Sequence, residues 1–209
     1  VSGRISYTNQ DTKGIVDYTD QKQNTIAANI ILTPSDRLTT TANVTYLSKQ
    51  SDNIPGSGYS WADIFGWLQR DFPTQYAKDL FYEKRNKDYI FVGDNPFYSL
   101  RNTNGLKRDR VFGNIGAKYK IYNWLSAEGM MGIDFYNEYR KQITQSGTVN
   151  NMQRGRGGQF TENSQFSQEI NLDFMLNFDK TFGDFRVDGL VGVNRRNNKF
   201  NSMRLSAPD

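Results

Sequence analysis

The stretch Phe-Ser-Gln-Glu-Ile-Asn-Leu-Asp-Phe-Met-Leu-Asn-Phe, residues 166–178, limits the fold more than any other part of the chain. Phe166, Ile170, Leu172, Phe174, Leu176 and Phe178 hold alternate positions, broken by Gln168. Ser167, Glu169, Asn171, Asp173 and Asn177 hold the other set, with Met175 as the exception. Period two puts one set on each side of a strand, whereas a helix would carry Glu169 and Asp173 round to the side of Phe166 and Phe174. The strand is also long enough to cross a bilayer, which takes about 9–11 tilted residues.

Other segments repeat the pattern. Residues 1–8 alternate, with Val1, Gly3, Ile5 and Tyr7 on one face. Residues 26–32 carry Ile26, Ala28, Ile30 and Leu32 on the apolar face, and 38–48 carry Leu38, Ala42, Val44 and Tyr46. The later strands span about 108–121, 125–139 and 185–200, so that seven are expected in all. A turn centred on Ser35 would pair Leu32 with Leu38 and Ile30 with Thr40. A three-residue turn at 122–124 would pair Ile121 with Leu125, setting Lys118 opposite Glu128 and Arg108 opposite Glu138. Opposite charges across a strand pair support such a register, at about 0.2–1 kcal/mol each.

The connections alternate in length. Short turns fall at 33–37, 122–124 and 179–184, and long loops are expected near 9–24, 49–107 and 141–162. Short turns on one side and long loops on the other is the layout of an outer-membrane barrel. Aromatics beside two of the short turns, Tyr122 and Trp124, then Phe178, Phe182 and Phe185, fit an interfacial girdle; the third has none. The 49–107 loop is too aromatic for disorder. Ser60 and Asp63 look like a helix start, and a second helix is expected near 74–83.

A soluble β-sandwich also alternates, but its strands run about 5–6 residues, half the length read here. No apolar run reaches the length of a transmembrane helix, which says nothing of a barrel. The mean hydropathy of -0.73 is equally compatible with a barrel, whose lipid-facing residues are diluted by the lumen set.

Several function classes drop out. The chain has no histidine and no cysteine, so the commonest general base, thiol nucleophiles and Cys-ligated zinc are missing. No cofactor and no metal site is indicated. Asp134 with Glu138, or Glu169 with Asp173, could be read as glycosidase carboxylates. Four residues of strand separate them by about 13 Å, too far for either geometry. The net charge of +4 is mild, and the Arg-Gly run at 154–158 is weak evidence for nucleic acid. That run fits a solvated loop, with lipopolysaccharide phosphates as the alternative contact.

Some segments resemble a known family. Gly-Asp-Asn-Pro-Phe-Tyr at 93–98, Arg-Asp-Arg-Val-Phe-Gly-Asn at 108–114, Ile-Tyr-Asn-Trp-Leu at 121–125, Gly-Ile-Asp-Phe-Tyr at 132–136, Gly-Gly-Gln-Phe at 157–160 and Glu-Ile-Asn-Leu-Asp-Phe-Met-Leu at 169–176 are similar in order and spacing to the barrel region of SusC/RagA-type TonB-linked outer-membrane transporters of Bacteroidota. The resemblance implies a plugged barrel of roughly 22 strands, of which this chain would supply about seven. Both ends read as cut, so an internal segment is expected, with signal peptide and plug absent. The resemblance further implies import of glycans or peptides, a SusD-like surface lipoprotein as lid, and energy from the TonB complex acting on the missing plug. It implies no enzymatic activity.

On that reading Lys118, Glu128, Arg108 and Glu138 face the lumen, and Ile170, Leu172, Phe174 and Leu176 face outer-membrane lipid. Trp61, Phe65, Trp67, Tyr89, Phe97 and Tyr98 are candidates to touch substrate or lid. For Trp61, Phe65 and Trp67 the simpler reading is the loop's own small core. The alternative function is a soluble or small-barrel β binding module that recognises carbohydrate or protein through the aromatic 49–107 loop. A β-sandwich hydrolase would need a nucleophile–base pair, and none is found.

Overall fold

The computed structural model describes residues 1–15, 17–54, 69–84, 89–90, 93–146 and 158–208. Seven strands form one sheet: β1 (Ser2–Lys13), β2 (Asp20–Ser35), β3 (Leu38–Ser51), β6 (Thr103–Tyr122), β7 (Leu125–Thr144), β8 (Gln159–Phe182) and β9 (Phe185–Pro208). Each pairs antiparallel with its neighbour in that order, giving an up-and-down meander with β1 and β9 at its edges. Between β3 and β6 lie helix α1 (Thr74–Lys84), the two-residue strands β4 (Tyr89–Ile90) and β5 (Gly93–Asp94), and the short helix α2 (Pro96–Ser99).

The strands outrun the alternation that marks them. β8 and β9 are 24 residues each, roughly twice what a membrane crossing needs. The expected loops shrink accordingly, to 14–19, 52–102 and 145–158. Beyond the apolar run both faces are polar, so periodicity ends while backbone pairing continues, as in Lys141↔Glu162 and Asp11↔Lys22.

Register settles two details. Lys118↔Glu128 and Arg108↔Glu138 face each other as expected, but the turn closes on Tyr122↔Leu125, with an irregularity at Ile121 absorbing one residue. At the first short turn Leu32 pairs with Thr40 and Ile30 with Ala42, two residues from the expected register. A shift of two keeps every side chain on its face, so alternation alone could not detect it. The last short turn closes on Phe182↔Phe185, and Gly183 takes φ 60°, a left-handed value that glycine adopts without steric cost.

The sheet is a single layer. Its apolar face is uncovered: Ile5 is 77 % exposed and Val193 69 %. The buried apolar core sits instead in the cap at the long-loop end, where α1 turns Ala77 and Phe81 toward Phe97 and Leu100 of the α2 segment and also buries Leu80. Spacing of three and four residues puts those α1 side chains on one helical stripe. Asn95 clips the two helices together. It is fully buried, its Nδ2 donates to Ala77 O at 2.7 Å, and its Oδ1 accepts from Phe97 N at 3.0 Å, capping α2 ahead of Pro96.

The Asn95→Ala variant removes the side-chain cap of the buried Phe97 amide, at about 1–3 kcal/mol, and one of two donors from the Ala77 carbonyl, which keeps its helical partner in α1. The expected result is faster protease cleavage between 74 and 102 with an unchanged melting transition for the sheet. Equal cleavage rates in wild type and variant would contradict the clip.

Candidate functional site

The sheet's two faces differ in chemistry over the height of the apolar run. On the apolar face the row Tyr7–Ile26–Tyr46–Val111–Phe135 runs strand to strand through β1, β2, β3, β6 and β7. Above it, on the same face, come Asn24, Ser48, Asp109 and Asn137. Tyr7 Oη donates to Asn24 Oδ1 at 2.8 Å and Tyr46 Oη to Asp109 Oδ1 at 2.7 Å. The rings thus sit on the apolar side of a boundary and their hydroxyls on the polar side, as at a membrane interface.

The short-turn end supplies the second rim. Tyr122 stacks on Trp124 with centroids 5.5 Å apart, and Lys180 Nζ lies 4.6 Å from the Trp124 ring centre. The apolar band is therefore bounded by aromatics at both ends. Ile170, Leu172, Phe174 and Leu176 lie within it on β8.

The opposite face is a lattice of charge. Lys118 Nζ is 4.0 Å from Glu128 Oε2, and Arg108 Nε donates to Glu138 Oε2 at 2.6 Å. These two pairs were legible from the sequence. Other partners were not. Arg110 forks onto Asp134 at 2.8 and 2.5 Å, Arg140 Nε donates to Glu138 Oε1 at 2.5 Å, and Arg196 Nη2 reaches Glu169 Oε2 at 2.7 Å. Asp134 and Glu169 are directly opposite each other on β7 and β8. Like charges so placed repel, and the arginines bracket them from either side. All four carboxylates weighed as possible acids are thus engaged: Asp134, Glu138 and Glu169 by arginine, and Asp173 by Asn194 Nδ2 at 2.6 Å.

At the long-loop end a cavity of about 1090 Å³ opens between the β1–β2 connection, the start of the β3–α1 connection, α1 and the residues ahead of β6. Phe81, Tyr82 and Tyr18 give it aromatic walls, and Asp17, Asp20, Asp52, Lys13 and Arg101 also line it. Tyr18 takes φ 63°, strained for a non-glycine residue, and its hydroxyl lies 3.1 Å from that of Tyr82. The Tyr82 hydroxyl is pushed up to about 12, by loss of solvent first and by the Tyr18 hydrogen bond second. The residue keeps 41 % of its surface, so this shift carries little stability. Arg101 stacks over the Tyr98 ring, 4.9 Å from its centre, and Tyr98 Oη donates to Ser146 O at 3.1 Å, tying the cap to the β7–β8 connection.

Of the aromatic contact candidates, Phe97 and Tyr98 are buried in the cap, 4 % and 6 % exposed. Tyr89 begins β4. Trp61, Phe65 and Trp67, with the helix start at Ser60, lie outside the described residues, as does most of the Arg-Gly run. Tyr18, Tyr82 and the three aspartates were missed by the sequence reading. Their signal is weak, because residues from the 14–19 and 52–102 connections meet only in the fold.

An all-β, up-and-down antiparallel sheet of seven long strands, apolar on one face and charged on the other, defines the class: a segment of β-barrel wall. Among solved structures, the RagAB peptide importer in its "closed-closed" state is similar to it in fold, with a TM-score of 0.68 over 99 % of this chain at 14 % identity. The chain spans 23 % of that protein's length. No family model and no curated protein matches the sequence.

Proposed function

We propose that this chain is part of the wall and outer loops of an outer-membrane, TonB-dependent transporter that imports glycans or peptides. One observation carries the reading: a single-layer sheet leaves an apolar band uncovered on one face, with aromatics at both rims. In water such a band would drive aggregation, whereas in lipid it is the required outer surface. The charged face then lines the lumen, with Lys118–Glu128 and Arg108–Glu138 among its pairs, and Ile170, Leu172, Phe174 and Leu176 meet lipid. The loop-end cavity receives substrate beneath a SusD-like lipoprotein lid, its aromatic walls offering stacking faces and its aspartates hydrogen-bond acceptors. Trp61, Phe65, Trp67 and Tyr89 belong to the same loop system and are proposed to touch substrate or lid. Energy enters through the TonB complex acting on the plug. The role is transport rather than catalysis. Resemblance to a peptide importer supports this reading at the level of fold.

The test uses single cysteines in the full-length protein held in lipid nanodiscs, this chain itself contributing none. Phe174→Cys should react with a water-soluble maleimide at least about tenfold more slowly than Asn201→Cys, which is on the same face above the band, because hydrocarbon excludes the reagent. Asp173→Cys, on the charged face, should react readily. Equal rates at 174 and 201 would overturn the membrane reading and favour the soluble binding module. Loss of the full-length protein from cells should abolish uptake of an oligosaccharide or oligopeptide class; undiminished uptake of both would overturn import.

A further inference from the structure

Down the charged face most cations have an opposite charge beside them: Lys118 with Glu128, Arg110 with Asp134, Arg196 with Glu169, Arg186 with Asp179. One cavity breaks that balance. It measures about 390 Å³, opens on this face across β6–β9, and is lined by Arg108, Glu138, Arg140, Asn163 and Arg204 among others. Glu138 is the one carboxylate among its described lining residues. Both Glu138 oxygens are already taken, Oε2 by Arg108 and Oε1 by Arg140. Three guanidinium groups therefore line a cavity that holds a single described carboxylate, and two of them already use it. Arg140 uses its Nε, and among the described residues its terminal nitrogens and the Arg204 guanidinium have no hydrogen-bond or ion-pair partner. The register sets Arg140, Asn163 and Arg204 in one row on β7, β8 and β9. The rest of the lining is amide and hydroxyl, so no neighbouring acid competes for these donors.

We infer that this cavity is a subsite for a carboxylate of the ligand, held between Arg140 and Arg204, with the Arg108–Glu138 pair as its fixed floor. A guanidinium fork matches a carboxylate with two parallel hydrogen bonds, and two forks with no acid of their own form a site of net positive charge. The assignment of that ligand as transported substrate rests on the transporter reading; the carboxylate selectivity does not. The carboxylate could belong to a peptide or to a uronic acid of a glycan.

The probe is propionate against propionamide, read by saturation-transfer NMR on the full-length protein with its partner in detergent. Propionate should give a signal about fivefold or more above the amide, the order expected when charge-assisted bonds replace neutral ones. Arg204→Gln, which disturbs no ion pair, should bring propionate down to the amide's level. Asn163→Asp, which places a fixed acid in the row, should do the same. Equal signals in the wild type, or selectivity that survives both variants, would overturn the subsite. Displacement of propionate by a peptide but not its C-terminal amide assigns the carboxylate to peptide; displacement by a digalacturonide but not a neutral disaccharide assigns it to glycan. Displacement by neither pair overturns the substrate assignment. Failure of the transporter reading shows separately: Phe174→Cys would label freely while propionate selectivity persisted.

Discussion

Gly113→Ala is expected to lower the stability of the folded sheet by about 3 kcal/mol or more, from overpacking against backbone and a strained φ together. Gly113 lies on β6 between Val44 of β3 and Ile133 of β7. A Cβ there would fall 1.9 Å from the Asn43 carbonyl oxygen and 2.9 Å from Val44 Cα. Both are backbone atoms of a paired strand, so relief requires separating β3 from β6 rather than turning a side chain. Gly129 is the control. It lies on the same face of the adjacent strand, and a Cβ there meets nothing within 4 Å. Gly129→Ala should stay within about 0.5 kcal/mol of wild type. The measurement is the urea midpoint of heat-modifiable migration for the full-length protein in detergent. Equal midpoints for the two variants would contradict the close approach of β3 and β6.

The same register explains what the sequence could and could not show. Alternation on residues 166–178 gives the face of every side chain on β8, because parity needs no partner strand. Hairpin register was legible where charges marked it: Lys118 with Glu128 and Arg108 with Glu138 hold although the turn itself is one residue shorter than expected, the extra residue being taken up at Ile121. Between β2 and β3 threonines and alanines carry no such mark, and the pairing lies two residues from the expected one. The outer halves of the strands were invisible because both faces there are polar. The second aromatic rim was missed for a different reason. Tyr7, Tyr46 and Phe135 are far apart in sequence, and only the pairing of five strands brings them into one row. None of the unmarked ion pairs is directly opposite: Arg110–Asp134 and Arg196–Glu169 are diagonal and Arg140–Glu138 lies along β7, all within reach of arginine but not of a rule that reads facing residues. Among the described residues of the 49–107 loop, α1 falls where the second helix is expected, and Phe97 and Tyr98 are buried. The loop-end cavity depends on the 14–19 and 52–102 connections meeting, which no local pattern encodes.

The charge cluster on β6 and β7 has an asymmetry that two variants should expose. Glu138 keeps 2 % of its side-chain surface, whereas Arg108 keeps 35 % and Arg140 40 %. The anion is therefore the desolvated member, and the cations are half in water. Arg108→Met with Arg140→Met strands a buried carboxylate, a loss of about 3–5 kcal/mol when one side of a buried pair is removed. Glu138→Gln leaves two arginines that can turn back to solvent, so it should cost only about 1 kcal/mol. Arg204 lines the same cavity and could swing across to the stranded carboxylate. The double arginine variant is accordingly best read with Arg204→Gln as background. Adding Glu138→Gln to that background should restore most of the lost stability, since a neutral amide has no charge to bury. The order of urea midpoints checks this: wild type highest, Glu138→Gln close below, the arginine-stripped variant lowest, and its Glu138→Gln derivative recovered. If stripping the arginines costs no more than Glu138→Gln, Glu138 is hydrated in the native barrel and the buried-anion account fails.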